Sequence, residues 1–226
     1  MIKLYSGTPG AGKSLHVASN IFYKLRAKKP VIANFEVNVH RIKAKKLGEF
    51  TYLDNIRMTP QTLIQYAMNY WNGKKIKEDT LLLVIDESQL LFNSRDWSRN
   101  GRNDWLSFFS QHRKYGYEII LIAQFDRMLD RQIRSLVEYE YMHRKVNNFG
   151  IGGTILGILA MGKLFVAIKV WYPMHEKVGS EFYKARKKYY SLYDTYGTFK
   201  MSAEDGGKGV PADSVILNEL INNTTL

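Results

Sequence analysis

Residues 7–14, Gly7-Thr8-Pro9-Gly10-Ala11-Gly12-Lys13-Ser14, place two glycines, a lysine and a serine at the spacing G-x-x-x-x-G-K-S. Successive backbone N–H groups of a glycine-rich loop that opens a helix surround phosphate oxygens, and the helix dipole favours their charge. In this pattern Lys13 reaches the β and γ phosphates of a nucleoside triphosphate, and the Ser14 hydroxyl ligates Mg²⁺. The expected nucleotide-binding set therefore runs Gly7, Thr8, Pro9, Gly10, Ala11, Gly12, Lys13, Ser14 and Leu15. A chance glycine turn would not also need a short apolar run before it and helical spacing after it.

Hydrolysis at such a cradle requires a carboxylate at the end of a buried strand to hold Mg²⁺. The stretch LLLVIDESQ supplies Asp86 after the apolar run 81–85, with Glu87 directly behind it. Asp86 reads as the Mg²⁺ carboxylate and Glu87 as the base that orients and deprotonates the attacking water. The bland alternative is a pair of exposed turn carboxylates. The run 118–123 ends in Gln124, placed to sense the terminal phosphate or, more simply, to satisfy a strand end. Charge that builds on the transferred phosphoryl group calls for one more cation, often from a neighbouring subunit. Arg95, Arg99, Arg102 and Arg113 are candidates. Arg113, in QHRKYG before the Gln124 strand, is preferred, because the other three read more simply as solubility charges in a polar loop.

These residues must be held by alternating elements. Residues 2–5 read as a strand, and the helix from Ser14 carries Leu15, Ala18, Phe22 and Leu25 on one face. Residues 30–33 form a second strand, and Thr59-Pro60 caps a helix running to about Trp71. The apolar run 80–85 and a second buried strand at 118–123 suit a sheet covered on both faces, with a loop at 93–103 and a helix at 104–114 between them. The alternation predicts an α/β fold, a three-layer sandwich around a mainly parallel sheet. Beyond residue 136, Val137, Tyr139, Tyr141 and His143 alternate with polar neighbours, as Phe165, Ala167 and Trp171 approximately do, which predicts an antiparallel edge hairpin.

Between those strands lies an apolar insertion, 150–164. Residues 151–168 hold Lys163 as their only charge and reach the lower length limit for a spanning helix. A mid-bilayer lysine costs about 2.5 to 3.5 kcal/mol, and glycines weaken the helix further. A hairpin loop that packs on a neighbour or inserts shallowly into a membrane, and a plain core segment, are the stronger readings. The expected organisation is one domain over 1–199 and a partly flexible extension over 200–226.

The composition, 45% hydrophobic and 24% charged over 226 residues, is that of a globular protein. There are no cysteines, which excludes disulfides and thiolate metal sites and fits a reducing compartment. No secretory signal is evident, so a cytoplasmic location is expected. The formal charge of +12 implies an anionic partner, either nucleic acid or an acidic membrane surface.

MIKLYSGTPGAGKS, VIDESQLLF, HRKYGYEIILIAQ and KYYSLYDTY together resemble the zonular occludens toxin-like ATPases, near the FtsK and HerA motor group, over residues 1–199. The resemblance implies a catalytic-glutamate, RecA-like sheet, ATP and Mg²⁺ as ligands, and a homo-oligomeric ring. It also implies ATP-driven assembly and extrusion of filamentous phage at the cytoplasmic face of the host inner membrane, with single-stranded phage DNA and membrane-embedded assembly proteins as partners. Double-stranded DNA packaging is the runner-up. A small P-loop kinase would not need Glu87 or Gln124, and a non-hydrolysing ATP switch would not depend on Glu87.

Overall fold

The computed structural model describes residues 1–93, 101–146 and 164–192. Within them eight strands form one sheet: β1 (Ile2–Ser6), β2 (Val31–Ala33), β3 (Phe50–Tyr52), β4 (Leu81–Ile85), β5 (Tyr117–Ile122), β6 (Tyr139–Lys145), β7 (Leu164–Trp171) and β8 (Glu176–Lys184). Their spatial order is β3-β2-β4-β5-β1-β6-β7-β8. The first six in that order are parallel, and β7 and β8 extend the sheet antiparallel. β1, which leads into the cradle, is thus flanked by β5 and β6, and β5 separates it from β4.

Alternate side chains of the central strands enter two cores. On one face α1 (Lys13–Arg26) lays Leu15, Ala18, Ile21 and Leu25 on Tyr5, Val84, Ile120 and Ile122. On the other, α2 (Pro60–Trp71), α3 (Arg102–Gln111) and α4 (Arg131–Ser135) bring Leu63, Trp71, Phe108 and Ile133 onto Leu4, Leu83, Tyr117 and Leu121. The result is the expected three-layer α/β sandwich. Thr59 caps α2 as read from sequence, its Oγ1 accepting from the Thr62 N–H at 3.2 Å with Pro60 in the first turn.

Several elements differ from the sequence expectation. β6 and β7 do pair antiparallel, but β6 lies inside the sheet beside β1, and the edge is β8. β8 is mostly exposed and mixes charges with apolar residues, so it carries no period-2 signal. Glu176, Lys177, Glu181 and Lys184, together with a register shift opposite Lys169 and Val170, disfavour pairing of this edge with another strand. α3 starts at Arg102 rather than 104, because Gly101 adopts the left-handed conformation that turns the chain into the helix. It stops at Gln111, and His112–Tyr115 tighten into a 3₁₀ turn. Arg102 is accordingly a helix residue 3.5 Å from Asp130, while Arg95 and Arg99 lie outside the described residues.

The apolar stretch does not run on as one helix to Ile168, since Leu164 begins β7. The rest of the 150–164 insertion and the 200–226 extension lie outside the described residues. Among the described residues no helix is long and apolar enough to cross a membrane. A short helix, α5 (Lys187–Tyr190), closes the described chain by packing Tyr189 on Phe22 and Tyr23 of α1.

A buried charge cluster pins α1 to the sheet. Glu118 of β5 accepts from Lys3 of β1 and Lys24 of α1, each at 2.5 Å. Burial opposes ionisation of Glu118, but the two ammonium groups outweigh it and hold the carboxyl below its ordinary value. Glu118→Ala would strand two half-buried ammonium groups and should cost roughly 3 kcal/mol, measured by denaturant unfolding at pH 7. Because the folded value is depressed, this stabilisation should be present above the unfolded value near 4.3 and lost as pH falls through the folded one.

Candidate nucleotide site

The cradle leaves the sheet at the C-terminal end of β1. The Gly7 N–H donates to the Gln124 carbonyl at 3.1 Å, the Ala11 N–H to Thr8 O at 3.1 Å, and the first bond of α1 runs from His16 N to Gly12 O. Gly12, in the left-handed conformation, offers α1 no side-chain cap. The N–H groups of the first turn have no partner one turn back, and among the described residues they find no protein acceptor. That donor set fits a phosphate. Two glycines are required by close approach. A Cβ on Gly7 would stand 2.6 Å from the His143 carbonyl, and one on Gly12 2.6 Å from the Phe165 ring, both at positive φ.

Lys13 turns back over the loop, its Nζ donating to the carbonyls of Gly7 and Thr8. Burial lowers its ammonium below the ordinary lysine value, while Asp86 and Glu87 draw it back up. The structure therefore brings the two carboxylates within electrostatic reach of the cradle lysine. Asp86 follows β4, and its backbone is clamped by the Asn34 amide at the end of β2: Asn34 Oδ1 accepts from Asp86 N at 2.7 Å, and Nδ2 donates to Asp86 O at 2.9 Å. Glu87 takes φ 46, a conformation costing about 1 to 3 kcal/mol in a non-glycine residue, held by its N–H donating to Asp86 Oδ1 at 2.9 Å. Its exposed side chain accepts from Gln89 Nε2. Ser88 Oγ donates to Ile122 O at 2.8 Å and ties this turn to the end of β5.

Gln124, just past β5, stands between the two halves because β5 lies between β1 and β4. Arg113 does not join them. It precedes β5 at the opposite end of the sheet, where its Nη2 lies 2.6 Å from Glu138 Oε2, so it cannot act on the cradle of its own chain. Ser14 and Asp86 are two oxygen donors of the kind Mg²⁺ takes alongside phosphates and water.

Sequence reasoning missed the residues contributed by β6. An open cleft of about 160 Å³ is lined by Thr8, Pro9, Gly10, Ala11, His143, Arg144 and Lys145. Among the described residues Arg144 and Lys145 form no ion pair, and a basic pair at a strand end was the available signal. His16 and His143 lie buried beneath the loop, where burial lowers them to about 3 and about 4 and keeps both neutral. Nothing in the sequence joins two residues 127 positions apart.

A family model described as zonular occludens toxin (Zot) matches residues 1–200. The chain belongs to the Zot family. The Gene 1 protein of Escherichia phage If1 is 27% identical over 169 residues, 72% of this chain and 47% of that protein. The Gene 1 protein of Enterobacteria phage fd is 24% identical over 213 residues, 89% of this chain and 61% of that protein. This Zot-family chain thus spans about half the length of the If1 relative. Its fold is that of P-loop NTPases. The N-terminal domain of zonular occludens toxin from Neisseria meningitidis superposes with a TM-score of 0.51 at 20% identity, covering 85% of this chain and 98% of that one. The genome packaging NTPase of Sulfolobus turreted icosahedral virus 2, solved with ATPγS, gives 0.50 at 15% identity, covering 82% and 97%.

One carboxyl at the site is held against its charge. Glu140 of β6 accepts from Ser6 Oγ at the last residue of β1, and burial raises it above its ordinary value. Stability tied to its protonated form is present below the unfolded value near 4.3 and lost as pH rises through the folded one. Glu140→Gln keeps an acceptor for Ser6 without the charge. Its melting temperature should exceed the wild type's by a few degrees at pH 8, with the gap closing at pH 4, read by calorimetry.

Proposed function

We propose that this chain binds Mg-ATP at the cradle and hydrolyses it as the motor domain of phage assembly and extrusion. Turnover would be coupled to export of phage single-stranded DNA at the cytoplasmic face of the host inner membrane. The observation that carries the hydrolysis reading is the order β4-β5-β1: it sets Asp86-Glu87, Gln124 and Lys13 along one edge of the sheet, with Lys13 under the electrostatic influence of both carboxylates. The loop 7–15, through the N–H groups of Gly12 to Leu15 that open α1, and Lys13 would bind the triphosphate. Ser14 and Asp86 would hold Mg²⁺, which when bound offsets charge on the phosphate oxygens. Glu87, oriented by Gln89, would take the proton of the attacking water, and Gln124 would report the terminal phosphate.

Membership of the Zot family and similarity to phage Gene 1 proteins support the assembly role. The formal charge of +12 supports a polyanionic partner. Likeness in fold to a viral genome packaging NTPase favours a second reading, translocation of double-stranded DNA. A homo-oligomeric ring, with membrane-embedded assembly proteins as partners, completes the proposal. In it Arg113 serves a neighbour's cradle, since it lies far from its own.

Steady-state Mg-ATP hydrolysis across protein concentrations, with single-stranded or duplex DNA, tests this. Turnover should rise with concentration and with the preferred DNA. Glu87→Gln should reduce it by about 100-fold or more while ATP still binds. Equal, slow hydrolysis by both proteins under every condition would leave an ATP switch as the better account.

A further inference from the structure

We propose that His143, steered by His16, is a positioning residue for the phosphate cradle, fixing the Ser6–Gly7 peptide from which the loop departs. The inference rests on the cradle being a nucleotide site. His143 is 2% exposed, and its two ring nitrogens face different partners. Nδ1 lies 3.1 Å from the Ser6 carbonyl, and Nε2 lies 2.9 Å from His16 Nδ1. A carbonyl can only accept, so Nδ1 carries the hydrogen, and in a neutral ring Nε2 then accepts from His16 Nδ1–H. One pair of tautomers satisfies both bonds.

The other side of the same peptide is also held, because the Gly7 N–H donates to Gln124 O at 3.1 Å. One peptide plane is therefore gripped at its oxygen from β6 and at its nitrogen from the residue behind β5. Any rotation of that plane, which would re-aim every amide of the loop, breaks both bonds. The far end of the cradle is tied to the same ring cluster. Tyr183 of β8 stacks on His16 with centroids 4.9 Å apart, and its hydroxyl donates to Gly12 O at 3.2 Å. Loop amides must converge on phosphate oxygens to within a fraction of an ångström, so a residue that sets the departure angle acts on affinity without touching the nucleotide.

Asparagine places its amide nitrogen where histidine carries Nδ1, and glutamine places its own where histidine carries Nε2. His143→Asn should keep ATP affinity within about threefold, whereas His143→Gln should weaken it by about tenfold, measured with a fluorescent ATP analogue. Exchange of the Gly7 amide with deuterium reads the peptide directly and needs no nucleotide. It should stay protected in His143→Asn and lose protection in His143→Gln. His16→Phe keeps the ring stack but removes the donor to His143, and should loosen the Gly7 amide as well. Equal behaviour of the Asn and Gln variants in affinity and exchange, or unchanged Gly7 exchange in His16→Phe, would overturn the proposal. If wild type and Lys13→Ala bind ATP equally poorly while the exchange pattern holds, the nucleotide reading fails and the positioning of the peptide stands.

Discussion

The N–H groups that open α1 have no capping side chain, and the site is built around that unmet donor capacity. A serine or aspartate at the cap position would satisfy the helix and close the cradle. Gly12 leaves it open, and Lys13 folds back over the loop carbonyls, so positive charge and free amides share one concave turn. Such a turn favours an anion as its partner. The parallel sheet then decides what else can reach that anion, because parallel strands end together. β1, β5 and β4 finish side by side and deliver the cradle, Gln124 and the Asp86-Glu87 pair to one edge. Asn34 and Ser88 remove the remaining freedom by bonding the Asp86 turn to the ends of β2 and β5.

Those parts were readable in the sequence because each depends on neighbours in the chain. The loop 7–15 is defined by backbone geometry that glycine must supply, and β4 is apolar throughout and β5 apolar but for Glu118 because helices cover both faces. α2 announces itself with Thr59-Pro60. What escaped depends on neighbours in space. β3 has two half-exposed residues and an exposed Tyr52, and β8 is mostly exposed with Tyr183 packed inward, so neither buries enough to leave a hydropathy pattern. Hydropathy places β6 in a hairpin but does not say that β1 lies on its other side. The His16–His143 pair and the Arg144–Lys145 rim follow from that one adjacency.

The number of cations is a poor guide to where anions would settle, since many of them are already committed. Lys3 and Lys24 face Glu118, Arg102 faces Asp130, Arg134 faces Asp126 and Arg113 faces Glu138. Pairs of this kind, when exposed, contribute little stability, and they also remove charge from long-range attraction. Arg144 and Lys145, without such partners among the described residues, keep their field directed at the cleft beside the cradle.

The position of Arg113 restricts how copies of the chain could meet. It stands at the end of the sheet where β5 begins, and the cradle stands where β1 ends, roughly one strand length or 17 Å away. A patch that donates the arginine and a patch that receives it are therefore different surfaces. With Arg113 serving a neighbour's cradle, as proposed, a two-fold dimer would need both patches inside one self-complementary interface, each copy's arginine reaching the other's cradle. Head-to-tail contact joins the two patches one to one, and its rotation per subunit determines whether the assembly closes on itself or grows as an open helix.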